Sequence, residues 1–549
     1  MRAFAELLDR LVLTPSRNGK LRLVRDFLAE TPDPERGWAL AALTGELVFR
    51  DAKPGMIRKA VEARMDPVLF GWSYEFVGDL AEAVSLVWPA KPGANREPDL
   101  ADVVETLASI SRASVPQQLE RWLDACAPAS RWALLKLITG ELRVGLTARL
   151  AKTAAARMGE RQGREAVDVS EVEEVWHALT PPYQPLFAWL EGRADRPEAS
   201  YAGKFRPVML ATPLEEADTA KLNPGDYSAE WKWDGIRVQA VHENGVKKLY
   251  SRTGDEISKA FPDVCEALTF EGALDGELLI LRPQADGTNC VAPFADLQQR
   301  LNRKTADEKL IRAHPAGVRA YDILADGPED LRALPFRERR ARLEAFVART
   351  AQPRIDLSPL VPFESWDEVH AFRADPPEAA AEGLMLKRWD SVYVGGRPKG
   401  PWFKFKRHPF LVDAVMMYAQ RGHGRRATFY SDYTFGLWTE GDDGAPALTP
   451  VGKAYSGITD EELRLLDKFV RDNTVERYGP VRAVRAGQDF GLVLEVAFEG
   501  LQRSTRHRSG VAMRFPRINR IRWDKPAAEA DRLTTLEGML DRMEAGRAV

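Results

Sequence analysis

Apolar positions in the first 195 or so residues recur at helical spacing. Phe4, Leu7, Leu8 and Leu11 form one amphipathic face and Leu21, Val24 and Leu28 a second, and Thr31-Pro-Asp-Pro breaks the pattern as a turn. Strand signals are scarce there. Trp38-Ala-Leu leading to Leu43-Thr-Gly-Glu-Leu47 is echoed by Trp132-Ala-Leu leading to Ile138-Thr-Gly-Glu-Leu142, which suggests a duplicated helical unit whose apolar stripes are core faces. A polar stretch, Glu191 to Ser200, reads as a linker, and the texture then changes. Gly235 to His242, Gly272 to Leu281 and Val318 to Leu324 are short, partly alternating runs bounded by Gly, Asp or Pro, as strands are, and a helical pattern returns around Arg337 to Val347. Further strand-like runs, Ala427-Thr-Phe-Tyr and Phe490 to Phe498, come before a closing helix or tail from Ala527 to Val549. The expected fold is multi-domain: all-α from 1 to 200, α+β from 201 to 408, and a small β-rich domain with a C-terminal tail from 409 to 549.

Composition agrees with a chain that folds in several domains. It has 549 residues, 44% of them hydrophobic and 29% charged. A net charge of -3 excludes a uniformly basic coat, so contact with nucleic acid has to come from local patches. The three cysteines, Cys126, Cys265 and Cys290, are scattered and form no CxxC pair, so they supply neither a disulfide framework nor a four-cysteine zinc site. The N-terminus lacks the unbroken apolar run of a signal peptide, and no stretch approaches the roughly 18 apolar residues of a membrane span. A soluble protein of a reducing cytoplasm is expected, without membrane association.

The candidate chemistry begins at Lys232-Trp-Asp234-Gly235, on a strand-like approach and followed by Arg237. Alone, Lys-x-Asp-Gly would arise by chance in roughly one chain of this length in ten. The motifs downstream of it, and their order, raise it above chance. Ser251-Arg252-x-Gly254, Asp275-Gly276-Glu277, Tyr321-Asp322, Glu382-Gly-Leu-Met-Leu-Lys387, Trp402-Phe-Lys404-Phe-Lys406 and Arg522-x-Asp524-Lys525 succeed one another along the chain. In this series the chain resembles the covalent nucleotidyltransferases, and within them the ATP-dependent DNA ligases of the bacterial three-domain type. The resemblance implies a helical DNA-binding domain, an adenylation domain and an OB-fold domain, and enzymatic sealing of nicks in duplex DNA during repair or recombination.

Residue chemistry agrees with that resemblance. A lysine attacks only as the neutral amine, so it needs cationic neighbours, metal or desolvation, and Arg237, Lys404 and Lys406 lie in motifs that could converge on Lys232. No GxxxxGK[ST] loop is present, which excludes a P-loop cradle and leaves covalent capture of AMP from ATP. Carboxylates suit a hard divalent cation on a triphosphate. The resemblance implies Glu382 as the main Mg²⁺ ligand, with Mn²⁺ as the alternative ion and Glu277 and Asp234 as helpers at metal, ribose or 3′ end. Tyr321 offers a ring for adenine, where the family usually has phenylalanine, and Glu230 is a candidate reader of the adenine edge through side chain or backbone. Arg252, Arg522 and Lys525 complete the nucleotide set, the last two by swinging over the pocket against the outgoing pyrophosphate.

Two basic runs coincide with these motifs. Residues 387 to 407 hold seven Lys/Arg against Asp390, and residues 501 to 526 hold eight against Asp524, interleaved with aromatics, so phosphate contact is expected there. Thr139 to Thr147 is similar to part of the family's DNA-binding domain. Nicked duplex DNA is the implied partner of a monomeric enzyme at the nucleoid, alongside repair nucleases or helicases. The alternatives are an RNA ligase, a capping-type nucleotidyltransferase, or an inactive DNA-binding accessory protein. The helical N-terminal region and the terminal Arg-x-Asp-Lys motif favour the DNA ligase, and the scattered cysteines argue against the NAD-dependent type.

Overall fold

The computed structural model describes residues 1–549 other than 78, 92, 94, 95, 141, 198–202, 285–288, 302, 304, 377–379, 422–428, 442, 443, 456 and 545–549. The chain forms two compact units, Met1–Ser200 and Tyr201–Val549.

Among its described residues the first unit contains helices and no strand. The periodic faces become buried ones. Helix Arg2–Leu13 buries Phe4, Leu7, Leu8 and Leu11. Helix Arg17–Glu30 starts at Ser16, whose hydroxyl accepts from the Gly19 amide, and buries Leu21, Val24 and Leu28. The echoed segments are a pair of helices, Glu35–Thr44 and Pro128–Thr139, each ended by a left-handed glycine, Gly45 and Gly140. A glycine there satisfies the last carbonyls without a Cβ clash, which is why Thr-Gly recurs. Glu141 of the second copy lies outside the described residues. One continuous apolar core joins both helices to the rest of the unit.

The second unit opens with two sheets. The smaller has strands in the order Thr212–Pro213, Trp402–Lys406, Ala381–Arg388, Tyr227–Trp233, Leu360–Val361. The larger is built on Val246–Ser251, Ile236–Glu243, Gly272–Pro283, Ala316–Asp326 and Glu329–Asp330, with two short strands beside it. Val238, Ala240, Leu274, Leu278, Val318, Ala320 and Ile323 form its core with Leu343 and Phe346 of helix Phe336–Thr350. The tetrapeptide Lys232 to Gly235 is the link between the sheets, because Tyr227–Trp233 belongs to one and Ile236–Glu243 to the other.

The remaining strands form a separate antiparallel sheet around Phe410–Arg421, with a hairpin of Gly500–Arg503 and Val511–Arg514 beside it. Strand Tyr430–Glu440 begins at the last residue of the expected Ala427-Thr-Phe-Tyr run, of which Ala427 and Thr428 lie outside the described residues. Helix Asp460–Asp472 crosses this sheet, burying Leu463, Leu466 and Val470, and helix Leu533–Glu544 closes the chain. No helix among the described residues is long and apolar enough to cross a membrane.

Candidate active site

The local geometry around Lys232 arises from a break in strand register. Ala381 pairs with Trp233 and Leu384 with Trp231, so Glu382 and Gly383 together oppose Lys232. A bulge of this kind turns side chains out of the regular alternation. Here it brings the Glu382 carboxylate onto the Lys232 ammonium. Gly383 is required twice over: its φ is 136°, and a Cβ would come 2.3 Å from the Phe405 carbonyl oxygen. The neighbouring strand adds Lys406, whose Nζ lies 3.0 Å from the other Glu382 oxygen.

Burial alone would push the Glu382 pKa up, but attraction and hydrogen bonding from Lys232 and Lys406 outweigh it and hold the carboxyl below its ordinary range. Glu277 meets the opposite balance. It is enclosed on most sides though partly exposed by area, and desolvation, with repulsion from Glu382 and Asp275, raises it to about 8 despite Lys232 and Arg237. Lys404 is held below the ordinary lysine range by burial and by Lys406, Arg397, Lys232 and Arg252. The same effects, burial first and then Arg237 and Arg397, lower Arg252. Lys232, Arg252, Lys404 and Lys406 therefore form one cationic field with Glu277 and Glu382, and Arg397 is a member that the motifs did not single out.

The floor of the pocket is ionic and closed. Arg237 grips Asp275 through two nitrogens, at 3.0 and 2.6 Å, and donates to the Met209 carbonyl and the Tyr393 hydroxyl. Its role here is to fix the two sheets' frame, with its guanidinium 5.9 Å from the Tyr321 ring centroid. Tyr321 has the Lys387 ammonium 4.5 Å from its ring centroid. Glu230 is buried, its two oxygens taken by Lys387 at 2.6 Å and Arg340 at 2.8 Å. That closure sets aside the expectation that its side chain reads the adenine edge.

The described residues hold no cluster of three or more side chains that could bind a metal. Asp234 is ion-paired with Arg514, whose guanidinium also lies 4.5 Å from the Phe294 ring centroid. Arg522 and Lys525 both engage Asp413, at 3.0 and 2.8 Å, and Arg522 also binds Asp524. The hairpin beside the β-rich sheet thus reaches the Lys232 loop through Arg514, while Arg522 and Lys525 of the terminal motif rest on Asp413. In the sequence Arg514 is legible only as one charge of a basic run. Its partner, Asp234, lies 280 positions away and gives no local signal.

Comparison with known proteins bears on this geometry. Residues 208–406 match the family model of the ATP dependent DNA ligase domain, and residues 426–525 that of the ATP dependent DNA ligase C terminal region. A probable DNA ligase of Koribacter versatilis is 30% identical across 98% of this chain and 96% of its own length. The chain belongs to the ATP-dependent DNA ligase family. A DNA ligase 1 of Korarchaeum cryptofilum is also 30% identical, over 99% of this chain and 98% of its own. Two solved structures, named Pmar-Lig_PreS3 and Pmar-Lig_Pre., share the fold at 15% identity, with TM-scores of 0.56 and 0.58 over 94% and 95% of this chain and 99% of each of theirs. The chain is accordingly an ATP-using DNA ligase, and the RNA-ligase, capping and inactive readings are not favoured. ATP, a divalent metal and nicked DNA come with the family.

Two outcomes are expected of the ligase. Gly383→Ala should destabilise it by roughly 2–4 kcal/mol through backbone strain and overlap, and should slow reaction with ATP by moving Glu382; denaturant unfolding and a rate measurement at 25 °C check both. Glu277 binds a proton in the folded state between its ordinary 4.5 and about 8, where the unfolded chain has lost it, so this group's contribution to stability falls as pH rises through that window. Glu277→Gln should therefore match the ligand-free parent near pH 4.5 and exceed it at pH 8, by on the order of 1–3 kcal/mol; unfolding curves at pH 5, 6.5 and 8 test the trend.

Proposed function

We propose that Lys232 is the residue that carries AMP. Its neutral amine attacks the α-phosphorus of ATP: the N–P bond forms, the bond to the β-phosphate oxygen breaks, pyrophosphate leaves with the electron pair and the amine gives up a proton. A 5′-phosphate oxygen at the nick then attacks the same phosphorus and Lys232 departs. Attack by the 3′-hydroxyl on the 5′-phosphorus joins the strands and releases AMP. The observation that carries the reading is the Lys232 and Glu382 pair at the bulge, inside a field of cations. Glu382 engages the Lys232 Nζ in this structure, and attack on phosphorus requires Glu382 to release it, as it would on turning to another positive charge.

Mg²⁺, with Mn²⁺ as the alternative, fits these donors. Magnesium is commonly held by one or two carboxylates together with phosphate oxygens and waters, and Glu382 and Glu277 are two carboxyl groups that feel each other and Lys232. Bound there, the ion would neutralise charge on the triphosphate. Lys404, Lys406 and Arg252 would hold phosphate oxygens, and Tyr321 would give the base its stacking face. Arg237 would keep Asp275 and the strand behind the pocket in place.

We further infer three functional domains, 1–200, 201–408 and 409–549. The helical unit would grip duplex DNA, the middle domain would adenylate, and the β-rich domain, read as an OB-fold, would present Arg503 to Lys525 first to triphosphate and then to DNA. A monomer acting at the nucleoid in the cytoplasm, with repair nucleases or helicases as partners, is the cellular setting this activity suggests.

Incubation with ATP labelled at the α-phosphate, followed by denaturing electrophoresis, tests the central claim. The parent should give a labelled band, and Lys232→Ala and Lys232→Arg should give none, since neither presents a neutral amine there. Label retained by Lys232→Ala would assign the nucleophile elsewhere. A separate outcome concerns the terminal motif. Replacing both Arg522 and Lys525 by alanine should slow formation of the adenylate, by roughly tenfold or more from the loss of charge-assisted contacts, and leave sealing of a nick already carrying a 5′-adenylate much less affected. Equal loss in both steps would show that the two cations serve DNA contact or folding.

A further inference from the structure

Helix Phe336–Thr350 carries two adjacent arginines that the adenylation chemistry leaves unused. Successive helical residues project about 100° apart, so neighbours on a helix reach different surroundings. Arg339 turns to the larger sheet and holds Asp322, beside Tyr321, through two hydrogen bonds of 2.8 and 3.0 Å. Arg340 turns to the smaller sheet. Its Nη1 donates to Glu230 at 2.8 Å and to the Ser358 carbonyl at 2.9 Å, and its Nε donates to Glu344 at 2.7 Å. Glu230 stands two positions before Lys232 in the same strand, and all four of Arg339, Asp322, Arg340 and Glu230 are buried.

Lys387 joins the two arms. Its ammonium binds Glu230 at 2.6 Å, donates to the Tyr321 carbonyl at 2.9 Å and lies 4.5, 4.7 and 4.9 Å from the ring centroids of Tyr321, Trp402 and Phe336. The path Arg340, Glu230, Lys387, Tyr321 is thus unbroken, and one turn of helix holds both ends. A carboxylate that is desolvated on all sides takes its position from its cations, because losing either is expensive. Arg340 therefore sets where Glu230 holds Lys387, and Lys387 sets where Tyr321 sits relative to Lys232.

We propose that Arg340 is a positioning residue for nucleotide capture: acting through Glu230 and Lys387, it keeps the Tyr321 face at the height at which a purine base stacks while its α-phosphate meets Lys232. It touches neither nucleotide nor reacting atoms. The proposal rests on Lys232 as the AMP carrier and Tyr321 as the stacking face.

Arg340→Met is a suitable probe, because Glu230 keeps Lys387 as a neutralising partner and Glu344 is half exposed, so no buried charge is left alone. The rate of self-adenylation is measured against ATP concentration with α-labelled ATP, together with the melting temperature. The half-saturating ATP concentration should rise roughly three- to tenfold, as for a displaced stacking or hydrogen-bonding group, and the maximal rate should change by less than about twofold. Arg340→Lys, which keeps the buried charge and can still donate to Glu230 and Ser358, should recover most of the loss. An unchanged half-saturating concentration in Arg340→Met overturns the proposal. So does a fall in maximal rate alone, or a loss that tracks melting temperature in both variants, since each marks a purely structural arginine. Failure of the parent protein to take label would instead overturn the assignment of Lys232.

Discussion

The active site depends on a fault in strand pairing. Regular pairing continued from Leu384 and Trp231 would set Gly383 opposite Lys232 and send Glu382 to the other face opposite Trp233. With both residues set against Lys232, the carboxylate folds over the ammonium and the backbone passes so close to Phe405 that only glycine fits. The Glu-Gly pair is therefore a single structural device. Its glycine makes room and its glutamate occupies the position so created. Because Trp402–Lys406 pairs with the same bulged strand, Lys404 and Lys406 come to the site by register, through Met385 and Gly383 respectively.

Ion pairs around this point separate into a frame and a field. In the frame, Arg237 with Asp275, Arg339 with Asp322, and Glu230 with Arg340 and Lys387 are buried and mutually satisfied. Buried pairs of this kind are weak sources of net stability, since desolvation offsets most of the attraction, but they fix geometry because no member can leave alone. At the edge of the frame the hairpin adds Arg514 on Asp234, while Arg522 and Lys525, at the end of the larger β-rich sheet, share Asp413. One carboxylate there serves two cations.

Legibility in the sequence depends on how far each signal reaches. The helical faces of Phe4 to Leu11 and Leu21 to Leu28, and the strands around Gly272 and Val318, are local patterns and the structure has them. Lys232, Glu277, Glu382, Lys404 and Lys406 are legible as motif members, and the fold brings their charges within reach of one another. Helix Asp460–Asp472 is absent from the sequence reading, although Thr459 and Glu462 form a capping box that announces its start. The closure of Glu230 by Arg340 and Lys387 is not legible, because charges 110 and 157 positions away supply it. The ion pair of Asp234 with Arg514 is not legible for the same reason, since its partner stands far along the chain.

The field differs from the frame in being unbalanced. Lys232, Arg252, Arg397, Lys404 and Lys406 act on one another through a space in which Glu382 is already shared between two of them and Glu277 is largely protonated at neutral pH. Burial first, and then repulsion from neighbouring cations, holds Lys404 and Arg252 below their ordinary ranges. A polyanion entering the space relieves that repulsion without asking the frame to move, so the arrangement is set before the substrate arrives. Attraction to Lys232 and Lys406 outweighs burial at Glu382 and holds its carboxyl below the ordinary range, while desolvation and like charge raise that of Glu277. The cations that would receive the phosphates are thus held in place by a frame whose buried charges are already engaged with one another.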